Sequence, residues 1–294
     1  MPRLVVLAAL AALLVAGCGG SSAPKGPAAL VFVSTKDGDY AIFGADADGK
    51  NVHRLTKERG DQSTPNGLFF QGDPDWSPDG TKIVFASHRE GKSHLYVMNA
   101  DGTGTRRLTD SNQDDTHPSW SPDGRWIAFA REGAIFRIPA AGGPARRVGS
   151  GPGSAADPAY SPDGKLIAYD YRMPGFSIRE VYVMNADGTG SRRVTNIRQV
   201  SGYPAWSPDG RRLAFQSNAV GDHWEIYTVR PDGREVKRVT VTPTSAIQPA
   251  WTPGGDIGFA RDGAIWVDRG QSEARLTSTR DNDSAPAWNP RPPK

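Results

Sequence analysis

Trp76-Ser77-Pro78-Asp79-Gly80 is followed by three close copies of itself: Trp120-Ser121-Pro122-Asp123-Gly124, Tyr160-Ser161-Pro162-Asp163-Gly164 and Trp206-Ser207-Pro208-Asp209-Gly210. Weaker copies stand at Trp251-Thr252-Pro253-Gly254-Gly255 and Trp288-Asn289-Pro290. The anchor aromatics lie 44, 40, 46, 45 and 37 residues apart. Self-similarity at a period of about 40 to 50 residues is the mark of a solenoid, propeller or array, because one such unit cannot bury its apolar surface alone.

Each unit carries three strand-like pieces after its anchor. The first has large residues two apart, as in Ile83-Val84-Phe85, Ile127-Ala128-Phe129 and Leu213-Ala214-Phe215, which is the period of a packed strand. The second is Leu95-Tyr96-Val97-Met98 and its counterparts, and the third is Arg107-Leu108-Thr109 and its counterparts. With the segment around the anchor, four short strands per unit predict a propeller blade. The N-terminal body, Leu30-Val31-Phe32, Ile42-Phe43 and Arg54-Leu55-Thr56, lacks an anchor strand, and Ala285-Pro286-Ala287-Trp288 at the other end lacks a blade. The two complete one another only if the chain closes into a ring, which also removes a free sheet edge. The expectation is an all-β, six-bladed β-propeller over residues 28–290 with a short tail, 291–294.

The first residues belong to a different kind of segment. Arg3, the apolar run Leu4 to Ala16 and Gly17-Cys18 have the order of an export signal. Leu14-Val15-Ala16-Gly17-Cys18 resembles the bacterial lipobox, which implies cleavage after residue 17 and lipid on Cys18. Residues 18–27 then read as a flexible linker, and the protein as lipid-anchored in the cell envelope, facing the periplasm or the exterior. Cys18 is the one cysteine of the chain, so the body has no disulfide and no thiol nucleophile. A formal charge of +3 spread over 294 residues gives no electrostatic case for nucleic acid.

The Pro-x-Trp-Ser-Pro-Asp-Gly anchor, the Met98-Asn99-Ala100-Asp101-Gly102-Thr103-Gly104 turn and the closing Arg-Leu-Thr are similar to the WD-like repeats of TolB-type propellers. The resemblance covers the propeller and not the additional α/β domain that TolB proteins carry before it. Similar repeats occur in prolyl-oligopeptidase-type and tricorn proteases and in oligogalacturonate lyases, so the fold does not choose an activity.

Loop lengths separate two faces. The anchor-to-first-strand and second-to-third-strand turns keep nearly constant lengths, and one face of the ring reads as structural. The first-to-second-strand loops and the blade-to-blade loops vary, and binding chemistry is expected there. On that face Leu68, Phe69 and Phe70 are either an exposed contact or a cover for their own blade. Tyr171, Arg172, Phe176, Tyr203, His223 and Trp224 are the further partner-binding candidates, with an aromatic platform of Tyr171, Phe176 and Trp224 weighed against capping of neighbouring blades. His88, His94, His117 and Asp115 are the alternative set, a metal site for a lyase-type or other carbohydrate-active enzyme. The residues before the anchor prolines, Asp73, His117, Asp157, Tyr203 and Gln248, are expected to point to the channel. The chain shows no Gly-x-Ser-x-Gly, Walker, Gly-x-Gly-x-x-Gly or zinc-protease signature. The reading that follows is a non-catalytic, monomeric propeller without cofactor that binds an envelope protein or peptide.

Overall fold

The computed structural model describes residues 28–56, 71–149, 151–197, 199–278 and 281–292. Among them, 24 strands form six four-stranded antiparallel sheets. The innermost strands of blades 1 to 6 are Ser284–Trp288, Gln71–Trp76, Asp115–Trp120, Ser154–Tyr160, Ser201–Trp206 and Ala246–Trp251. Blade 1 is closed as expected: Leu30 pairs with Trp288 and Val31 with Ala287, so the last strand completes the first sheet.

The aromatics read as strand markers face each other directly. Phe32 lies opposite Phe43, Phe85 opposite Tyr96, Phe129 opposite Phe136, Tyr169 opposite Tyr182, Phe215 opposite Tyr227 and Phe259 opposite Trp266. Such cross-strand pairs contribute about 0.5 to 1.5 kcal/mol each beyond the area they bury. In blades 2, 3 and 6 an arginine at or just past the end of the second strand lies over the second ring, Arg89 on Tyr96 at 4.2 Å, Arg131 on Phe136 at 5.0 Å and Arg261 on Trp266 at 3.8 Å. The core lies between blades. Val31, Val33 and Ile42 of blade 1 pack on Trp76, Ile83, Phe85 and Tyr96 of blade 2.

The outermost strands are shorter than the Arg-Leu-Thr motif suggests, for instance Arg106–Arg107. The threonine has left the ladder for a different task. Its Oγ1 accepts a backbone N–H near the start of the third strand counted from the axis: Thr56 from Ile42, Thr109 from Leu95, Thr195 from Val181, Thr240 from Ile226 and Thr277 from Ile265, at 2.9 to 3.1 Å. In blade 3 the position is Gly149, which has no such group.

The Ser-Pro-Asp-Gly turns repeat one set of bonds. Ser77 Oγ donates to Asp79 Oδ1 at 2.6 Å and accepts from Lys82 N–H at 2.9 Å. Ser121, Ser161 and Ser207 do the same with Asp123, Asp163 and Asp209. The serine hydroxyl bond, first among the causes, holds each of these aspartates below its usual pKa.

Every innermost strand carries a bulge that the periodicity does not reveal. In blade 2, Gly72 pairs with Ala86 and Asp75 with Val84, so Asp73 and Pro74 together oppose Phe85. The same one-residue slip occurs at His117-Pro118, Asp157-Pro158, Tyr203-Pro204, Gln248-Pro249 and Ala285-Pro286. Proline cannot donate to the ladder, which is why a bulge falls there. The residue before each proline is left-handed, with φ of 53, 52, 50, 53, 53 and 47° from Asp73 to Ala285.

A side chain pays about 1 to 2 kcal/mol for that conformation, whereas glycine adopts it freely but gains about 0.4 to 1 kcal/mol of unfolded-chain entropy. Ala285→Gly is therefore expected to raise stability slightly, by about 0.5 kcal/mol in chemical denaturation. A loss of stability would show that the bulge is unstrained.

Candidate functional site

The six bulges aim one residue per blade at the ring axis. They line a cavity of about 390 Å³ together with the six anchor prolines and the anchor aromatics Trp76, Trp120, Tyr160, Trp206, Trp251 and Trp288. Because each innermost strand runs from the variable-loop face to the Ser-Pro-Asp-Gly turn, this lining extends from the bulge ring to the turn face.

The ring is chemically lopsided. On the side of blades 2 to 4, His117 Nε2 stands 3.2 Å from Asp157 Oδ1 and 3.6 Å from Asp73 Oδ2. Burial opposes the His117 imidazolium, but the charges of Asp157, Asp73 and Asp170 outweigh it and hold the ring above its usual pKa. Asp170 lies behind this group on the second strand of blade 4, where Arg179 donates to its Oδ1 at 2.8 Å and to Ser154 Oγ at 3.2 Å. Burial, and then the charge of Asp157, push Asp170 up to about 7. Burial raises Asp157 as well, in spite of His117. Asp75, whose carboxylate accepts the backbone N–H of Trp76 at 2.9 Å and of Trp120 at 2.7 Å, is pushed up by burial to about 6.

The other side is uncharged. Tyr203 sets its ring edge-on to His117, with centroids 5.6 Å apart, and its hydroxyl bonds the Gln248 side chain. Here the amides freed by the bulges are met by side chains of the preceding blade. Tyr203 N–H donates to the Asp157 carboxylate, Gln248 N–H to Gln216 Oε1 at 2.8 Å, and Ala285 N–H to Gln248 Oε1 at 3.0 Å. A buried N–H without a partner costs about 1 to 3 kcal/mol, so these side chains hold the ring as well as line it.

The structure distributes the expected site residues unevenly. Cys18, Leu68, Phe69 and Phe70 lie outside the described residues. Tyr203 stands in the channel. Tyr171 is turned inward, 9% exposed, with its hydroxyl accepting Gly153 N–H at 2.8 Å and its ring against Tyr182. Arg172 and Phe176 are exposed, whereas His223 and Trp224 are half-buried. His223 Nε2 lies 3.2 Å from Glu225 Oε1, and Trp224 N–H donates to Ser245 Oγ. The four residues of the alternative metal set are engaged separately. His94 is buried with Nε2 2.9 Å from Arg107, Asp115 is held by both arms of Arg131, His117 belongs to the channel, and His88 sits in a loop of blade 2. Among the described residues, no three His, Cys, Asp or Glu side chains are grouped to hold a metal ion.

The channel positions were legible as a class, since each precedes an anchor proline. Asp75, Asp170, Arg179 and Gln216 were not. Nothing in their spacing marks them: Asp170 and Gln216 reach the ring through the pairing of second strands with the bulged strands, Arg179 follows from the third strand of blade 4, and Asp75 lies on an innermost strand beyond its bulge. The profile described as "TolB beta propeller domain" matches residues 66–176 and 141–292, which is most of the chain. The chain belongs to the TolB β-propeller domain family. Among curated relatives, a protein named "Protein TolB homolog" from Chlorobium chlorochromatii is 31% identical over 126 residues, 42% of this chain and 27% of that one. Its namesake from Chlorobaculum tepidum is 37% identical over 70 residues, 24% of this chain and 14% of the relative. The chain thus spans roughly a quarter or less of the relatives it matches in sequence. TolB from Acinetobacter baumannii superimposes with a TM-score of 0.72 at 19% identity, over 89% of this chain and 66% of that one, which is a likeness of fold.

Proposed function

We propose that this TolB-type propeller is a non-catalytic, lipid-anchored protein of the cell envelope that binds a protein or peptide partner through its variable-loop face. The observation that carries the reading is where the exposed apolar side chains lie. Of the five large hydrophobic residues exposed among the described residues, Met173, Phe176, Val220 and Val241 are on loops of that face, in blade 4, blade 5 and the connection to blade 6. The fifth, Val236, follows a turn on the other face. Phe176 is 60% and Val241 78% exposed. The second and third strands of blade 4, Leu166–Arg172 and Arg179–Asn185, are seven residues each and carry the Phe176 loop beyond the five-residue strands of blade 5. Among the described residues no helix is long and apolar enough to cross a membrane. The envelope attachment proposed here rests on Cys18 and the Leu14-Val15-Ala16-Gly17 that precedes it.

The test is in-cell photo-crosslinking from Phe176, Val220 and Val236. A discrete protein adduct from the first two positions and not from Val236 is expected. Phe176→Ser combined with Met173→Ser should lower the yield from Val220 about tenfold, the effect of removing one interface hot spot, while thermal stability stays the same. Adducts from Val236 alone would overturn the assignment of the face. Metabolic labelling with a fatty acid that persists in Cys18→Ser would overturn the anchor.

A further inference from the structure

The turn face carries a feature of opposite character to the loop face. Between blades 4 and 5 a groove of about 630 Å³ is lined by Arg192, Arg211, Arg212 and Arg230, with Asp232 and Glu235 as the acids in its wall. Glu235 is shared by Arg212 and Arg230, and Asp232 lies 3.6 Å from Arg230. Arg211 is left with a 3.9 Å approach to Asp209 and 86% of its side chain exposed. Arg192 donates to a neutral acceptor, the Pro231 carbonyl, at 2.6 Å. Arg193, Arg234 and Lys237 are exposed on the adjoining residues. The groove therefore holds cations in excess of its acids, in a concavity.

The place where the chain enters the fold supplies a second, independent observation. Leu30 pairs with Trp288, at the turn end of the innermost strand of blade 1, and Asn289 N–H donates to Ala29 O at 2.9 Å. Asn289 is fully buried there, with Nδ2 donating to Ala28 O and Gly80 O. Whatever precedes Ala28 is thus joined to the turn face, and a lipid at Cys18 would draw that face, not the apolar loop face, toward the membrane. A tether of 18–27 spans at most about 36 Å, short enough to keep the turn face at the bilayer.

We propose that the arginine groove of blades 4 and 5 docks on the anionic phosphate headgroups of the bilayer that holds the lipid anchor, so that the loop face is presented outward to its partner. Basic side chains near an anionic surface each strengthen binding about fivefold, and one lipid signal joined to a basic patch holds a protein more firmly than either alone. This inference rests on the lipid-anchor reading for its orientation, but the groove is tested without the lipid.

The experiment uses the chain as it stands after signal cleavage, residues 18–294, carrying Cys18→Ser so that neither the apolar signal nor a lipid is present. Co-sedimentation is measured with vesicles of phosphatidylcholine alone and of phosphatidylcholine with about a third phosphatidylglycerol. Binding to the anionic vesicles alone is expected, weakening as salt is raised. Arg192→Gln, Arg211→Gln and Arg230→Gln together should reduce it at least tenfold. An equal charge removal on the loop face, Lys36→Gln, Lys92→Gln and Arg172→Gln, should leave it within twofold. No binding to anionic vesicles, equal loss in both triple variants, or equal binding to neutral vesicles would each overturn the proposal. Displacement by millimolar inorganic phosphate beyond that by chloride of matched ionic strength would assign the groove to a soluble anion and overturn it as well. Failure of fatty-acid labelling at Cys18 would remove the anchor while leaving the vesicle result standing.

Discussion

Gly258→Ala lowers the stability of the closed ring by about 3 kcal/mol, the upper range for overpacking a well-filled site. A Cβ on Gly258 would stand 1.9, 2.3 and 2.9 Å from three ring atoms of Trp288. The equivalent positions of other blades are Val31, Val84, Ala128, Ala168 and Ala214, so side chains are accommodated at every junction except the one that receives the closing tryptophan. Alanine in a strand is otherwise favoured over glycine by about 0.5 to 1 kcal/mol, which sets the opposite sign for a site with room. The clash should win, because three ring atoms are involved and Trp288 is held by its pairing with Leu30. In thermal unfolding the loss corresponds to a drop of about 6 to 12 °C. Combining Gly258→Ala with Trp288→Phe should recover part of it, and that coupling separates a clash at the seam from a general effect of alanine. An unchanged or raised midpoint would mean that Trp288 is free to move and that the seam is looser than the other five junctions.

Much of this architecture can be read from the chain, and the reason is physical. A blade must place an aromatic opposite an aromatic and a Ser-Pro-Asp-Gly turn at a set distance, so Trp76, Phe85 and Tyr96 recur in step and the orphan halves at Leu30 and Trp288 find each other. The channel is a different case. That Asp73, His117, Asp157, Tyr203 and Gln248 face the axis follows from their place before proline, but the left-handed bulge that turns them inward leaves no mark in a period-two pattern. Gln216 and Asp170 act at the ring only because their strands pair across that bulge. The histidines illustrate the converse. His94, His117 and Asp115 are close in sequence, yet His94 is drawn to Arg107 and Asp115 to Arg131, and sequence proximity says nothing about which arginine from a neighbouring strand arrives. Tyr171 resembles an exposed loop aromatic until Gly151 and Gly153, with no side chains of their own, make room for its hydroxyl.

Between pH 8 and pH 5 the protein is expected to become more stable, by about 2 kcal/mol, and the channel group is the cause. Asp170 is raised to about 7, Asp75 to about 6, and Asp157 in the same direction. For each, the folded state keeps a proton that the unfolded chain releases near 3.8. Stability from these groups therefore falls as pH rises from about 4 to about 7. His117 is raised above 6.5, so its contribution is complete below that value and is lost as pH climbs through its folded pKa. All four act with one sign. Within this window only the two units between pH 5 and about 7 act on Asp170, which alone would correspond to about 3 kcal/mol, and relaxation and channel water reduce that to about 2. The turn aspartates Asp79, Asp123, Asp163 and Asp209 are depressed and act oppositely, but their contribution is lost only below about pH 4, so it is intact across the window. Asp170→Asn should cut the difference between pH 5 and pH 8 by at least half while raising stability at pH 8. Arg179→Met should enlarge it, since removing the guanidinium leaves the Asp170 charge unpaired at high pH. Chemical denaturation at the two pH values decides the matter: a flat profile, or one that rises with pH and is indifferent to Asp170, would show that the Asp–His–Asp group is solvated like a surface cluster. If the slope is found, a cation that enters the cavity and pairs with Asp157 or Asp73 competes with the His117 proton for those charges, and its affinity will depend on pH by the same linkage.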